Sequence, residues 1–418
     1  MLLSQETTIV LSKNDANIVG HMCYAAYKLW NVCNYERNNY KDLGLEKYPD
    51  WYYQKSKHKD DLWFKSLPSQ TAQEVCKLLD KSWKSFYCLK KSGGIENPRP
   101  PRYKKDKMPI TYMQNGIQHE KGSLSVRLSL PKKLKEYMDL TYGIRAAYLY
   151  LKNPVFSNTD MIKQIRIYPP ASEGTCRILI IYEVEDVTPV QDNGRYLSID
   201  LGLHNLMTCY DNAGRTFIVG REYLSHTYFY DKEIARVQSQ WANIQNARGV
   251  KHPRTSNHLQ MVYQKKNNCI KDYIHKLTRY ITDYCVKNEI HTVVIGDIKG
   301  IRKENDLGRR TNQKLHSLPY ARIYMQLEYK LKMEGIRLIR QEESYSSQCP
   351  PQSEEVSVKY AEKKNQKKRG IYIVDMVIYN ADAVGAYNIL RKYHAVSGRK
   401  IDMPITGLSN TNIVKVAV

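Results

Sequence analysis

From residue 195 onward the chain alternates short apolar runs with long helical patterns, and this order constrains its fold more than any single motif. RYLSIDLGLHNLMTCYD (195–211) reads as strand, turn and strand, and RTFIVG (215–220) as a third strand. A basic amphipathic stretch over 222–288 has helical spacing. HTVVIGDI (291–298) is a short apolar run of the kind a sheet buries on both faces. LPYARIYMQLEYKLKMEG (318–335) is a helix closed by Gly335, IRLIRQEES (336–344) another strand, and ADAVGAYNILRKY (381–393) a final helix.

The resulting order, β-β-β-α-β-α-β-α, predicts an RNase H-like α/β domain over 195–395, entered through the turn-rich linker PVQDNGRY (189–196) and followed by a tail, 396–418. The N-terminal half reads differently. ETTIVLSKN (5–13) is a short strand, and 14–92 is helical, with Asn14 or Asp15 as a candidate N-cap and a second helix over 69–91. GGIENPRPPRYKKDK (93–107) breaks the helix with prolines. The segments over 108–188 alternate apolar and polar residues between turns, which predicts an antiparallel barrel or sheet. The strand at the start joins it, so 1–13 and 93–190 form one β unit with 14–92 inserted.

With Lys+Arg at 65 and Asp+Glu at 42, the net charge of +23 points to a polyanionic partner, most simply nucleic acid. No apolar run is long enough to span a bilayer. The opening MLLSQETTIVLSK is too short and polar for a secretory signal, so a cytoplasmic protein is expected. Nine cysteines are scattered without a CxxC pair, as reduced core thiols are. Tyrosine is frequent (34) and phenylalanine scarce (5), which suits stacking on bases or reflects codon bias.

Three segments place acids at the ends of buried elements. SIDLG sets Asp200 at the end of the first strand, RQEES sets Glu342 and Glu343 at the end of the last, and NADAVGAYNIL sets Asp382 on the first turn of the final helix. Carboxylates from separate elements suit Mg²⁺, a hard ion that takes oxygen ligands. A pair of such ions about 4 Å apart activates water and stabilises the leaving oxygen in phosphodiester cleavage. Singly, each acid is more simply a turn, cap or surface residue. His204, beside the first turn, receives no role.

The segments SIDLGLHNLMTCYD, VVIGDIKGIR, EYKLKMEGIRLI, ESYSSQCP and DAVGAYNIL resemble the RuvC nuclease domain of transposon-encoded TnpB proteins, relatives of the Fanzor proteins and type V CRISPR effectors. LPSQTAQEVCKLLDKSWKSFYCLKK followed by PRPPRYKK resembles their helical recognition insert and its return to a wedge β-barrel. The resemblance implies an RNA-guided DNA endonuclease. A structured guide RNA, derived from a transposon end, pairs with one strand of double-stranded DNA beside a short motif, and a RuvC site cuts with two Mg²⁺ ions. Base pairing would supply specificity and a cationic channel would hold the backbones.

Two departures matter. Family members carry a catalytic glutamate where this chain has Gly296, with Asp297 one residue on. Neighbouring strand side chains face opposite ways, so Asp297 should point away from the metals. Some relatives place the acid just before a Thr-Ser motif on the next strand, and Glu343-Ser-Tyr-Ser-Ser is similar. The resemblance therefore implies Asp200, Glu343 and Asp382 as catalytic and metal-holding acids, with Asp297 second choice to Glu343. Gly296 would leave the space for Glu343. The second departure is in 349–372, where Cys349 stands alone in place of two CxxC pairs, so no structural zinc is expected. KKNQKKRG (363–370) in that loop is a candidate nucleic-acid contact or a solvated charge run.

Arg99, Arg102, Tyr103, Lys104 and Lys105 are the candidate contacts to guide RNA. Arg302, Lys303, Arg309, Arg310 and Lys314 are candidates near the nuclease cleft, and Tyr52, Tyr53, Gln70 and Gln73 for the DNA motif. The rival expectations are a nuclease-dead RNA-guided repressor, a compact type V CRISPR effector, and a structure-selective RuvC-type nuclease without a guide.

Overall fold

The computed structural model describes the chain except residues 94, 160, 172, 251–254, 299–317, 366–369, 399–402 and 417–418. It folds as two compact units, Met1–Asp186 and Val187–Val418.

The first unit opens with β1 (Leu2–Val10), then α1 (Lys13–Asn38), α2 (Trp51–Lys57), α3 (Leu62–Lys65) and α4 (Ser69–Ser92). There follow β2 (Ile110–Met113), β3 (Ile117–Gln118), β4 (Ser125–Ser129), α5 (Lys132–Tyr142), β5 (Tyr148–Lys152), β6 (Ile162–Ile167) and β7 (Thr175–Glu183). Strands β1-β7-β6-β2 make one antiparallel sheet and β3-β4-β5 another. The four helices thus interrupt one sheet between its two edge strands. Ser12 caps α1 by accepting from the Asp15 N–H, so the helix starts ahead of the expected Asn14 or Asp15 cap. Val19, Met22, Ala26 and Leu29 of α1 and Ala72, Val75 and Leu79 of α4 bury in one core, each large aliphatic contributing about 1.5–3 kcal/mol.

Helix α5 departs from the strand pattern expected over 108–188. Leu134 and Met138, four residues apart, share a buried helical face, and Gly143 at φ +65° ends the helix in a left-handed cap. An apolar pair at that spacing is too short a signal to stand out among flanking strands.

The second unit runs β8 (Tyr196–Asp200), β9 (Met207–Asp211), β10 (Thr216–Val219), α6 (Tyr223–Ala247), α7 (Asn257–Lys287), β11 (Thr292–Asp297), α8 (Tyr320–Met333) and β12 (Arg337–Glu342). A hairpin, β13 (Ile371–Val374) and β14 (Val377–Asn380), precedes α9 (Ala381–Ser397) and β15 (Asn412–Val414). The sheet order is β12-β11-β8-β9-β10-β15. Strands β8, β9 and β10 are antiparallel neighbours, and β11 and β12 add in parallel beside β8. The stretch expected as a tail, 396–418, instead supplies β15, which pairs in parallel with β10 and covers that edge.

The two faces of this sheet are packed separately. Tyr196, Tyr210 and Val294 lie with Val384, Ala386, Ile389 and Leu390 of α9. Leu197, Ile199, Cys209, Val293 and Ile295 lie with residues of α7 and α8, among them Ile274, Leu277, Ile323 and Leu327. Burial on both faces explains why β11 is a continuous apolar run rather than an alternating one. Among the described residues no helix is long and apolar enough to cross a membrane.

Candidate active site

Strand periodicity decides which acids share a face. Register pairs Val294 with Ser198 and Ile295 with Ile199, which sets Gly296 beside Asp200 at the strand ends. Tyr196 and Val294 face α9, and Ser198 donates to the Ala386 carbonyl of α9 at 2.7 Å, so Asp200 and Gly296 continue the α9 side. Val293 and Ile295 belong to the opposite core, and Asp297, at the end of β11, alternates with Gly296 and pairs along the sheet with Glu342.

Glu343 reaches the α9 side from just beyond β12. A Cβ built on Gly296 would overlap Glu343 Oε2 and stand 3.1 Å from Ile389 Cδ1. Gly385, within α9, does the same for another acid: a Cβ there would stand 2.5 Å from Asp200 Oδ2. Two glycines without side chains thus give two carboxylates their room. Asp382 joins from the first turn of α9. The helix is capped not by Asp382 but by Asn380, whose side chain accepts from the Asp382 and Ala383 N–H groups. The Asp382 carboxylate accepts from Asn205 Nδ2 at 2.5 Å. Asn205 is returned to this position by the turn after β8, where the Gly202 N–H donates to its carbonyl at 3.1 Å.

The electrostatics follow from this crowding. Burial, then the charges of Glu343 and Asp382, push the Asp200 carboxyl well above the usual carboxylate range. Burial, then Glu342 and Asp297, push Glu343 up to about 7. Glu343 Oε2 is buried without a hydrogen-bond partner among the described residues. Glu342 is the exposed member of its pair and meets Lys392 Nζ instead. Among the described residues no three ligating side chains stand close enough to ring an ion. The donor set still fits a hard divalent cation: an orphaned carboxylate oxygen and mutually repelling acids are both relieved by positive charge.

The remaining expected residues lie elsewhere. Arg99, Arg102, Tyr103, Lys104 and Lys105 are exposed on a strap laid along α1. The Trp30 indole N–H donates to Arg102 O (3.2 Å), Asn31 exchanges hydrogen bonds with the Lys104 backbone (2.9 and 2.8 Å), and Asn34 donates to Pro101 O (3.0 Å). Lys104 Nζ also lies 4.6 Å from the Trp30 ring centre. Tyr52 and Tyr53 are exposed on α2, while Gln70 and Gln73 lie partly buried in the first turns of α4. Arg302, Lys303, Arg309, Arg310 and Lys314, and much of KKNQKKRG, fall outside the described residues. Cys349 is buried, its thiol donating to Ser357 O at 3.3 Å. His204 stays in the turn after β8. Sequence reasoning missed Gly385 and Asn205. The one available signal was a glycine inside an otherwise apolar helix, which usually marks close approach.

Two family models match the second unit and its approach: "Probable transposase" (OrfB_IS605) over residues 179–302 and "Cas12f1-like, TNB domain" over 320–389. The Escherichia coli (strain K12) protein "Putative RNA-guided DNA endonuclease InsQ" is 25% identical over 389 residues, covering 87% of this chain and 84% of its own. A Cas12f1 effector, solved in complex with single-guide RNA and target DNA, superposes with a TM-score of 0.52 at 12% identity, covering 93% of this chain and 98% of its own. The sheet order and this superposition give the second unit the RuvC-like nuclease fold of that structure. These matches make the chain similar to the TnpB-type proteins encoded by transposable elements.

Proposed function

We propose that the chain is an RNA-guided DNA endonuclease of a transposable element, cutting guide-matched double-stranded DNA beside a short flanking motif. Asp200, Glu343 and Asp382 would hold two Mg²⁺ ions. The observation that carries this reading is the convergence of those carboxylates on the α9 side of the sheet, in room left by Gly296 and Gly385. The similarity to InsQ, over most of both chains, supports the guided reaction.

When bound, the ions would activate a water and stabilise the leaving oxygen of a phosphodiester. The chain's own residues orient and hold. Asp200 ends a strand paired on both sides, so its backbone is fixed. Asn205 orients the Asp382 carboxylate. Glu343 would supply the acid absent from β11, and Asp297, whose position alternates with Gly296 along the strand, would take no part. In this reading the first unit is the wedge and recognition insertion, and its cationic strap, Arg99 to Lys105, grips the backbone of the guide RNA.

The test is to sequence the RNA that co-purifies with the protein and to assay plasmid cleavage with a randomised flank. Asp200→Ala and Glu343→Ala should abolish cutting in Mg²⁺ while Asp297→Ala spares it. Loss of cutting in Asp297→Ala but not Glu343→Ala would overturn the assignment, and a wild-type complex that occupies matched DNA without nicking it would establish the repressor.

A further inference from the structure

We propose that Asn388, on α9, is a positioning residue for Glu343; the proposal rests on the reading of Glu343 as a metal-holding acid. Glu343 lies one residue past the last paired position of β12, so the sheet's ladder does not fix its backbone. The chain turns at once. The Ser346 N–H donates to Glu343 O and the Cys349 N–H to Tyr345 O, each at 3.1 Å. Within the turn Tyr345 stands at φ +64°, a left-handed conformation that bulky side chains rarely adopt. Such a conformation persists only where its surroundings over-determine it.

Asn388 does this. It is fully buried, and its Nδ2 donates to two carbonyls of the turn, Ser346 O and Cys349 O, both at 2.8 Å. Its Oδ1 accepts from Arg391 Nη1 at 3.0 Å. Arg391 extends the clamp along the same segment, lying 3.3 Å from Pro350 O through Nη1 and donating to Ser353 O through Nη2. A short amide meets this set of partners: two donors toward two carbonyls and one acceptor toward a guanidinium. Aspartate would set a carboxylate against two carbonyl oxygens. Leucine has nearly the same shape and offers neither donor nor acceptor.

The same helix bears Asp382 less than two turns earlier. One rigid element therefore carries one acid and staples the segment that carries another. An acid delivered by a strand needs no staple, because the sheet holds it. An acid delivered by a turn does.

The test is Mn²⁺ binding to the full-length chain free of nucleic acid, read by electron paramagnetic resonance, with guide-directed cleavage in Mg²⁺ as a second readout. Asn388→Leu should weaken Mn²⁺ binding by roughly tenfold or more, the range for losing an outer-shell partner. It should also raise the Mg²⁺ needed for half-maximal cleavage, with binding of guide-matched DNA unchanged. Arg391→Gln, at a half-buried position, should shift both in the same direction by a smaller factor, and decides the matter if Asn388→Leu fails to fold. Glu343→Gln separates the two claims. If it leaves Mn²⁺ binding and cleavage at wild-type levels, the reading of the site falls. If it weakens Mn²⁺ binding while the folded clamp variants bind Mn²⁺ as wild type does, Glu343 stands and the positioning role of Asn388 is overturned.

Discussion

A glycine inside a helix is about 1 kcal/mol less favourable than alanine, so Gly385 in the second turn of α9 requires a reason. Its reason is the Asp200 carboxylate, which occupies the volume a Cβ would take. This yields a prediction in which stability and activity part company. Gly385→Ala should leave the melting temperature unchanged or raised, yet displace Asp200 and lower cleavage by about 10²-fold, the scale for misplacing a reacting group by an ångström. Gly296→Ala should lower cleavage by a similar factor, because Glu343 must move aside. Here stability should also fall by about 1–3 kcal/mol, as for an overpacked core, since Ile389 is close on the other side. A Gly296→Ala protein with full cleavage would show that Glu343 is not placed as described.

At the scale of elements, a buried charge network ties α2 to α1 in the first unit. Glu36 accepts from Gln54 Nε2 (3.0 Å) and meets Lys57 Nζ, while His58 faces Glu36 through Nε2 (3.3 Å) and Asp61 through Nδ1 (2.5 Å). Burial opposes the Glu36 charge, but hydrogen bonds from His58, Lys57 and Gln54 outweigh it and hold the carboxyl at about 2. Its stabilising contribution is therefore present above its ordinary value of 4.5 and is lost as pH falls toward 2, by about 3 kcal/mol in all. For His58 burial likewise opposes the charge, and the carboxylates of Glu36 and Asp61 raise its pKa above 6.5. That contribution is complete below 6.5 and is lost as pH rises through the folded-state value. Melting temperature against pH should thus show an acid limb that Glu36→Gln flattens. Equal acid sensitivity in both proteins would sink the assignment. A second ion pair, Arg37 with Asp80 at 3.0 Å, is almost wholly buried, and Asp80→Ala should cost about 3–5 kcal/mol by stranding the guanidinium.

At the scale of the whole molecule, the net charge of +23 predicts nucleic-acid binding that weakens steeply with salt. The strap's hydrogen bonds to α1 run to its backbone, so replacing its side chains leaves those bonds in place. Replacing Arg99, Arg102, Lys104 and Lys105 by alanine should flatten the logarithmic salt dependence of RNA binding by roughly 3 units, at about 0.7–0.9 for each phosphate no longer neutralised. Fluorescence anisotropy across a KCl series measures this. An unchanged slope would remove the strap from the RNA-binding surface.

Much of the second unit is legible in its residues because its signals are local. Apolar runs bounded by turns mark β8 to β12, and helical spacing marks α6 to α9. The helical stretch between β1 and β2 is legible for the same reason. What escapes is whatever depends on meeting between distant segments. Helix α5 buries only Leu134 and Met138, too sparse an apolar signal to stand out, and the three-residue β15 pairs along a sheet edge that only the fold provides. The site shows the division most clearly. Residue order names Asp200, Glu343 and Asp382 as acids at element ends. Only packing shows that Gly296 and Gly385 hold space for two of them, that Asn205 reaches Asp382, and that Asn388 grips the turn after Glu343. Those pairings join residues far apart in the chain, and the spacing of a sequence carries no record of which distant side chains will meet.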